Sequence, residues 1–205
     1  MLQVGLTGGL ACGKSHAAQV FAELGAFIID ADKVAHAVMA PGLPAYRDVV
    51  ARFGPEVLHP DGAINRKRLG DIVFADPAAL RDLNAIVHPR VFDEQARLVV
   101  EYVQHSLHGI VLFDAPLLIE TGAHRRVGRV VVVFCDPALQ LVRLMNRDHL
   151  GREAALTRIR SQMPIEDKLA QADYRIDTSG TFKETRTQIE QIYKDLQRMA
   201  LLDMK

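Results

Sequence analysis

Eight consecutive residues near the start of the chain carry the clearest chemistry: Gly8-Gly9-Leu10-Ala11-Cys12-Gly13-Lys14-Ser15, a match to G-x-x-x-x-G-K-[ST]. Each residue type has a physical task in that pattern. Glycines let the backbone curl so that its N–H groups converge on phosphate oxygens. A helix starting at the end of the loop turns its positive end toward the same anion. Lys14 can reach β- and γ-phosphates, and the Ser15 hydroxyl can ligate magnesium. Gly8, Gly9, Ala11, Cys12, Gly13, Lys14, Ser15 and the following His16 are therefore candidate ATP contacts. The plain alternative is a glycine-rich turn that only joins a strand to a helix. Placement argues for the phosphate loop, because an apolar run precedes it and a helical period follows it.

A phosphate loop does not choose a reaction. A GTPase would need an N-K-x-D segment, and the chain has none; Asp148-His149-Leu150-Gly151 fits D-x-x-G by letter but lies in a charged helical region. Phosphoryl transfer to a small acceptor needs cationic groups over the moving phosphate, and it gains from a base at the acceptor hydroxyl. Gln140, Arg143 and Arg147 share one sector of a helix, with Arg152, Arg158 and Arg160 following. This predicts a phosphate-covering lid, the alternative being a solvated charged face. Asp30 and Asp32 follow an apolar strand, at the sheet edge where α/β folds bind ligands. Either is a candidate base, and either could instead cap a helix. Asp114 ends another apolar strand and could hold magnesium directly or through water, or simply close a turn.

The elements that must position these groups alternate. Residues 2–7, 26–29, 110–113, 130–134 and 174–176 read as short buried strands. Helical periods occupy the stretch after Lys14 and residues 138–147, 153–162 and 182–199. Residues 32–105 read as almost wholly helical, broken at Pro41-Gly42 and Gly54-Pro55, with helix starts at Asp76-Pro77 and at His88-Pro89. The pattern predicts an α/β fold: a P-loop NTPase-type parallel sheet flanked by helices. The expected core is residues 1–31 and 106–205, with a helical lid at about 144–163 inside it. Residues 32–105 are the expected acceptor-binding insertion.

The whole-chain properties narrow the class. The chain has 205 residues, 49% of them hydrophobic, enough for one sizeable core. A formal net charge of +0 gives no basic excess for nucleic acid or a membrane surface. The two cysteines, Cys12 and Cys135, form neither a CxxC pair nor a disulfide framework, and no signal peptide or membrane-length run is visible. A reducing, cytoplasmic setting is the expectation.

Taken in order, the landmarks resemble the dephospho-coenzyme A kinase family over essentially the full length. They are Gly5-Leu-Thr-Gly-Gly before the loop lysine, Ile29-Asp-Ala-Asp-Lys33, His88-Pro89 and Pro116-Leu-Leu-Ile-Glu120. Gln140-Leu-Val-Arg143 with Arg147-Asp148, Arg158-Ile159 with Gln162, and Ala172-Asp173 ahead of Gly180 complete the series. The resemblance implies that ATP phosphorylates the ribose 3′-hydroxyl of dephospho-coenzyme A, the last step of coenzyme A synthesis, with magnesium. By the same resemblance Asp32 is the base and Arg143 steadies the transferring phosphoryl group. It also implies acceptor contacts at Asp32, His88, Pro116, Leu117, Leu118 and Glu120, and further ATP contacts at Arg147, Thr178 and Gly180. Two residues depart from the family pattern: His16 stands where a threonine is common, and Thr178 where an asparagine often lies near the adenine. Competing readings are a kinase of another nucleotide or nucleoside, and a non-catalytic ATP-binding regulator; neither oligomeric state nor lid motion is legible.

Overall fold

The computed structural model describes residues 1–104 and 109–202. It contains a five-stranded parallel sheet in the order β2-β3-β1-β4-β5. The strands are β1 (Leu2–Gly8), β2 (Phe27–Asp30), β3 (Ile110–Asp114), β4 (Arg129–Phe134) and β5 (Tyr174–Asp177). The helices are α1 (Lys14–Glu23), α2 (Ala31–Val38), α3 (Pro44–Phe53), α4 (Arg66–Ala75), α5 (Pro77–Val103), α6 (Pro137–Asp148), α7 (Arg152–Arg160), α8 (Ile165–Ala170) and α9 (Phe182–Leu202). This is the expected P-loop NTPase-type α/β fold. None of the described helices is long and apolar enough to cross a membrane.

The chain divides into two compact units, Met1–Ile29 with Tyr102–Lys205, and Asp30–Glu101. In the first, β1 pairs with β3 (Leu6 opposite Asp114) and with β4 (Gly8 opposite Val133). Strands buried on both faces read as unbroken apolar runs, and β3 and β4 do so because helices cover them. The main core joins Val4, Leu6, Leu112, Val131 and Val133 of the sheet to Val20 and Phe21 of α1 and Ile189 and Leu196 of α9. Central β1 has its neighbours running out to both sides, so the carboxyl ends of β1, β3, β4 and β5 meet at a switch in strand order. Ligands bind in that crevice in open α/β sheets.

The second unit holds α2, α3, α4 and most of α5. Asp30 caps α2 by accepting the Lys33 amide at 3.0 Å, and Asn65 caps α4 through the Arg68 amide at 3.1 Å. Asp76 accepts the Ala78 amide at 2.8 Å, and Pro77 opens α5. No helix begins at His88-Pro89, contrary to the sequence expectation: α5 runs straight through Pro89. An internal proline removes one ladder donor and crowds the carbonyl four residues back. The carbonyl left without its helical donor is that of Ala85; in the same turn Arg90 Nη1 donates to the neighbouring Ile86 carbonyl at 2.5 Å. The far end of the expected insertion, residue 105, lies outside the described residues.

Candidate active site

The phosphate loop is a left-handed curl between β1 and α1. Ala11 (φ 59) and Gly13 (φ 82) both adopt positive φ. For alanine that conformation costs about 1–2 kcal/mol, so the surroundings must hold it. They do so from three sides. The Gly9 amide donates to the Val133 carbonyl at 3.1 Å, tying the loop to β4. Gln140 Nε2 of α6 donates to the Leu10 carbonyl at 2.9 Å. Leu10 and Ala11 also pack against a small core of Leu141, Leu144, Met145, Ala155 and Ile159 from α6 and α7. Gly8 is required by close approach: a Cβ there would stand 2.3 Å from the Val133 carbonyl oxygen.

Lys14, at the start of α1, forms an ion pair with Asp114 at the end of β3, both side chains largely buried. One hundred residues of sequence separate them. Ser15 follows on the same helical turn and is exposed.

Thr178, just past β5, is 5% exposed and sits at the centre of a polar knot. Its hydroxyl donates to the Cys12 carbonyl at 2.8 Å. It accepts from Arg143 Nη1 at 3.1 Å, while Arg143 Nη2 donates to the Thr178 carbonyl at 3.0 Å. A threonine at this position thus braces the loop and aims the arginine together. Arg143, Thr178, Gly180, Gly13, His16 and Phe182 line a cavity of about 490 Å³. His16 and Phe182 meet edge-on in it, centroids 4.9 Å apart.

Arg147 does not converge with Arg143. Its Nε and Nη2 grip Asp148 at 2.7 and 3.1 Å, and Arg158 of α7 donates to the same carboxylate at 2.5 Å. The Arg147 hydrogen bonds hold the Asp148 carboxyl below its ordinary range. A shared helix sector sets where two Cβ atoms point, not where two long side chains end. Arg160 and Arg152 lie on α7 beyond this cluster.

The two cysteines, 123 positions apart, meet below the loop. Their sulfurs lie 2.9 Å apart, and both residues are buried. Mutual hydrogen bonding and burial push the Cys12 thiol up. The same contact, with help from Arg143 and Thr178, brings Cys135 down to about 7.

On the β3 side, residues 116–120 follow Asp114. Leu118 is buried against Ile119, Val130 and Val132, whereas Leu117 is 48% exposed. Thr7 Oγ1 donates to the Pro116 carbonyl at 2.9 Å. Glu120 Oε1 pairs with Lys168 at 2.7 Å. Lys168 and α8 carried no sequence signal, since a six-residue helix with one buried lysine has no readable period.

Within the second unit the two candidate bases separate by environment. Asp30 is engaged as the α2 cap and pairs with Lys33 Nζ at 3.5 Å. Asp32, on the first turn of α2, is exposed and makes no hydrogen bond or ion pair among the described residues. One α2 turn on, His36 Nδ1 contacts Arg66 Nη1 at 2.7 Å. Burial and that guanidinium lower the His36 pKa. His88 on α5 is half-buried beside Phe92, and burial lowers its pKa too.

Comparison with known proteins gives this site a lineage. A relative from Halalkalibacterium halodurans, named dephospho-CoA kinase, is 47% identical over 94% of this chain and 96% of its own. A solved dephospho-CoA kinase from Campylobacter jejuni superposes with a TM-score of 0.69 at 29% identity, covering 96% of this chain and 97% of that one. A solved protein from Thermus thermophilus gives a TM-score of 0.79 at 28% identity, covering 95% and 97%. The dephospho-CoA kinase family model matches residues 2–184, from the first strand past the Thr178 knot, and the chain belongs to that family.

Proposed function

We propose that this protein transfers the γ-phosphoryl group of ATP to the ribose 3′-hydroxyl of dephospho-coenzyme A, giving coenzyme A. The carrying observation is the family match spanning the phosphate loop, the 116–120 segment and the arginine-bearing α6 in one chain. A kinase of another nucleotide and a purely regulatory ATP binder are both disfavoured by the shared family and its named relatives.

In this reading the ATP phosphates lie along the amides of residues 8–15, with Lys14 exchanging Asp114 for the β- and γ-phosphates. Gly8, Gly9, Ala11, Cys12, Gly13, Lys14, Ser15 and His16 line the triphosphate. Thr178 and Gly180 border the nucleoside end of the cavity, and Arg147 joins from the lid, residues 144–163. Arg143 stabilises charge on the moving phosphoryl group, where a fixed, desolvated cation is worth most.

Asp32 accepts the acceptor hydroxyl proton as the new P–O bond forms. It is the carboxylate the α2 cap leaves unengaged, and Asp30 is the one the cap uses. By the family resemblance His88 of the helical insertion, residues 32–105, is an acceptor contact, and so are Pro116, Leu117, Leu118 and Glu120.

The donor set fits magnesium. This ion keeps most of its ligands as water and phosphate and needs only one or two protein oxygens. The Ser15 hydroxyl and the Asp114 carboxylate are of that kind, and the described residues contain no cluster of three or more metal-binding side chains that would favour a dedicated cage. When bound, the ion neutralises phosphate charge. The cytoplasm is the proposed setting, on cysteine usage.

The test is direct: purified protein, ATP, magnesium and dephospho-coenzyme A should yield coenzyme A by mass spectrometry. Absence of product across metals and pH, with ATP still bound, would favour the regulatory reading.

A further inference from the structure

Lys168 of α8 is the most buried charged side chain described, at 1% exposure. Lysine is almost never fully buried unless paired, because an ammonium loses its hydration there. Its Nζ has three protons to place and can accept none. Two go to a single stretch of chain: one to the Pro116 carbonyl at 2.9 Å and one to Glu120 Oε1 at 2.7 Å. The Pro116 carbonyl takes a second donor, the Thr7 hydroxyl of β1, at 2.9 Å, and Thr7 itself is fully buried.

Residues 116–120 are thus fastened at both ends by one cation. Between those ends, Leu118 and Ile119 are sunk in an apolar cluster that also takes Ile165 and Leu169 of α8. An apolar residue at 168 would complete that cluster more cheaply. What only a buried ammonium supplies is a fixed position for the Pro116 carbonyl and the Glu120 carboxylate together.

We propose that Lys168 is a positioning residue for the phosphoryl acceptor: it holds residues 116–120 in the shape that receives dephospho-coenzyme A. This rests on the reading that those residues face the acceptor. It assigns the Glu120 carboxylate to Lys168, so that Glu120 acts through the shape of the segment. It also makes α8, which follows α7 by four residues, a fixed anchor behind the acceptor side.

Steady-state kinetics with each substrate varied in turn test the proposal, alongside thermal melts. Wild-type turnover of dephospho-coenzyme A is measured first, and its absence would refute the acceptor assignment rather than the role of Lys168. Lys168→Met is expected to raise KM for dephospho-coenzyme A by about tenfold or more, since small misplacements of positioning groups have effects of that order. KM for ATP should stay within about twofold. Glu120→Gln should shift the acceptor KM in the same direction, and the double variant should be no worse than Lys168→Met alone. Thr7→Val, which removes the other donor to Pro116 without touching the lysine, should raise the acceptor KM a few-fold. That variant decides the matter if Lys168→Met does not fold. A lowered melting point with unchanged acceptor KM would make the ammonium merely structural and overturn the proposal. So would an equal rise in both KM values, or additive effects of Lys168→Met and Glu120→Gln.

Discussion

Replacing Thr178 by valine changes almost no volume and removes one hydroxyl, so its effect can be worked out bond by bond. The hydroxyl has a single proton. The Cys12 carbonyl at 2.8 Å and the Phe134 carbonyl at 3.2 Å both lie within its reach, and the shorter contact takes it. Its lone pairs receive Arg143 Nη1 at 3.1 Å. Valine therefore leaves a loop carbonyl without this donor and an arginine N–H without this acceptor. A buried group that loses its partner costs about 1–3 kcal/mol, somewhat less where water can enter from the adjoining cavity. Two such groups come to about 2–3 kcal/mol. For a chain of this size that is a fall in melting temperature of roughly 4–12 °C.

The serine variant separates the hydroxyl from the methyl group. Thr178→Ser keeps both hydrogen bonds and loses one methyl, about 0.8 kcal/mol and a few degrees at most. Because the hydroxyl braces the loop at Cys12, Thr178→Val should also raise KM for ATP several-fold while Thr178→Ser barely changes it. Differential scanning fluorimetry and ATP titrations check both. A valine variant that melts within a degree of wild type with unchanged ATP KM would refute the reasoning. A serine variant as damaged as the valine one would refute it equally, since it would place the effect in the methyl group.

Four further outcomes are expected. Gly8→Ala drives a Cβ into the backbone of β4 and should cost about 3 kcal/mol, whereas Gly151→Ala, with open space around it but at the N-cap of α7, where alanine is the poorer residue, should cost no more than about 1 kcal/mol; equal losses in thermal melts would contradict this. Asp32→Asn should lower kcat by about a hundredfold or more with ATP KM little changed; normal turnover would remove Asp32 as base. Burial depresses the pKa of His88, so the unfolded chain takes up its proton first as the medium is acidified. The stability present above the unfolded value of about 6.5 is then lost as pH falls through the folded value. Urea melts at two pH values should show a smaller acid loss in His88→Gln, and equal losses would contradict that sign. Native alkylation mapped by mass spectrometry should modify Cys135 before Cys12, because their contact lowers the Cys135 thiol, with help from Arg143, and raises that of Cys12; the reverse order would overturn those directions.

The sheet was legible because its strands carry their burial in their composition. The apolar run expected at residues 2–7 is β1 to within one residue, and that at 174–176 is β5 to within one. Helix starts were legible where a local side chain makes them, as at Asp76-Pro77. His88-Pro89 failed for the complementary reason. Local preference there favours a break, and α5 passes through it with the Arg90 guanidinium at the Ile86 carbonyl. Arg90 also pairs with Asp48 of α3, a partner 42 residues away that no window of sequence could have placed beside it.

The phosphate loop was readable because its residues are consecutive, and it is also the least specific part of the site. What makes the site particular is long-range. Lys14 meets Asp114, Thr178 meets the Cys12 carbonyl and Arg143, and Lys168 meets Glu120. The threonine illustrates the difference. In the sequence it was an ATP contact implied by resemblance and a departure from an asparagine, with its hydrogen-bond partners unreadable. In the fold it closes a three-way contact between the loop, β5 and α6, because Thr178 follows β5 and the parallel register of β4 with β5 sets Phe134 opposite Asp177. The register therefore carries the information that the motif lacks. A substitution that slid β5 by one residue along β4 would separate Thr178 from Cys12 and Arg143 at once, with every residue of the phosphate loop unchanged.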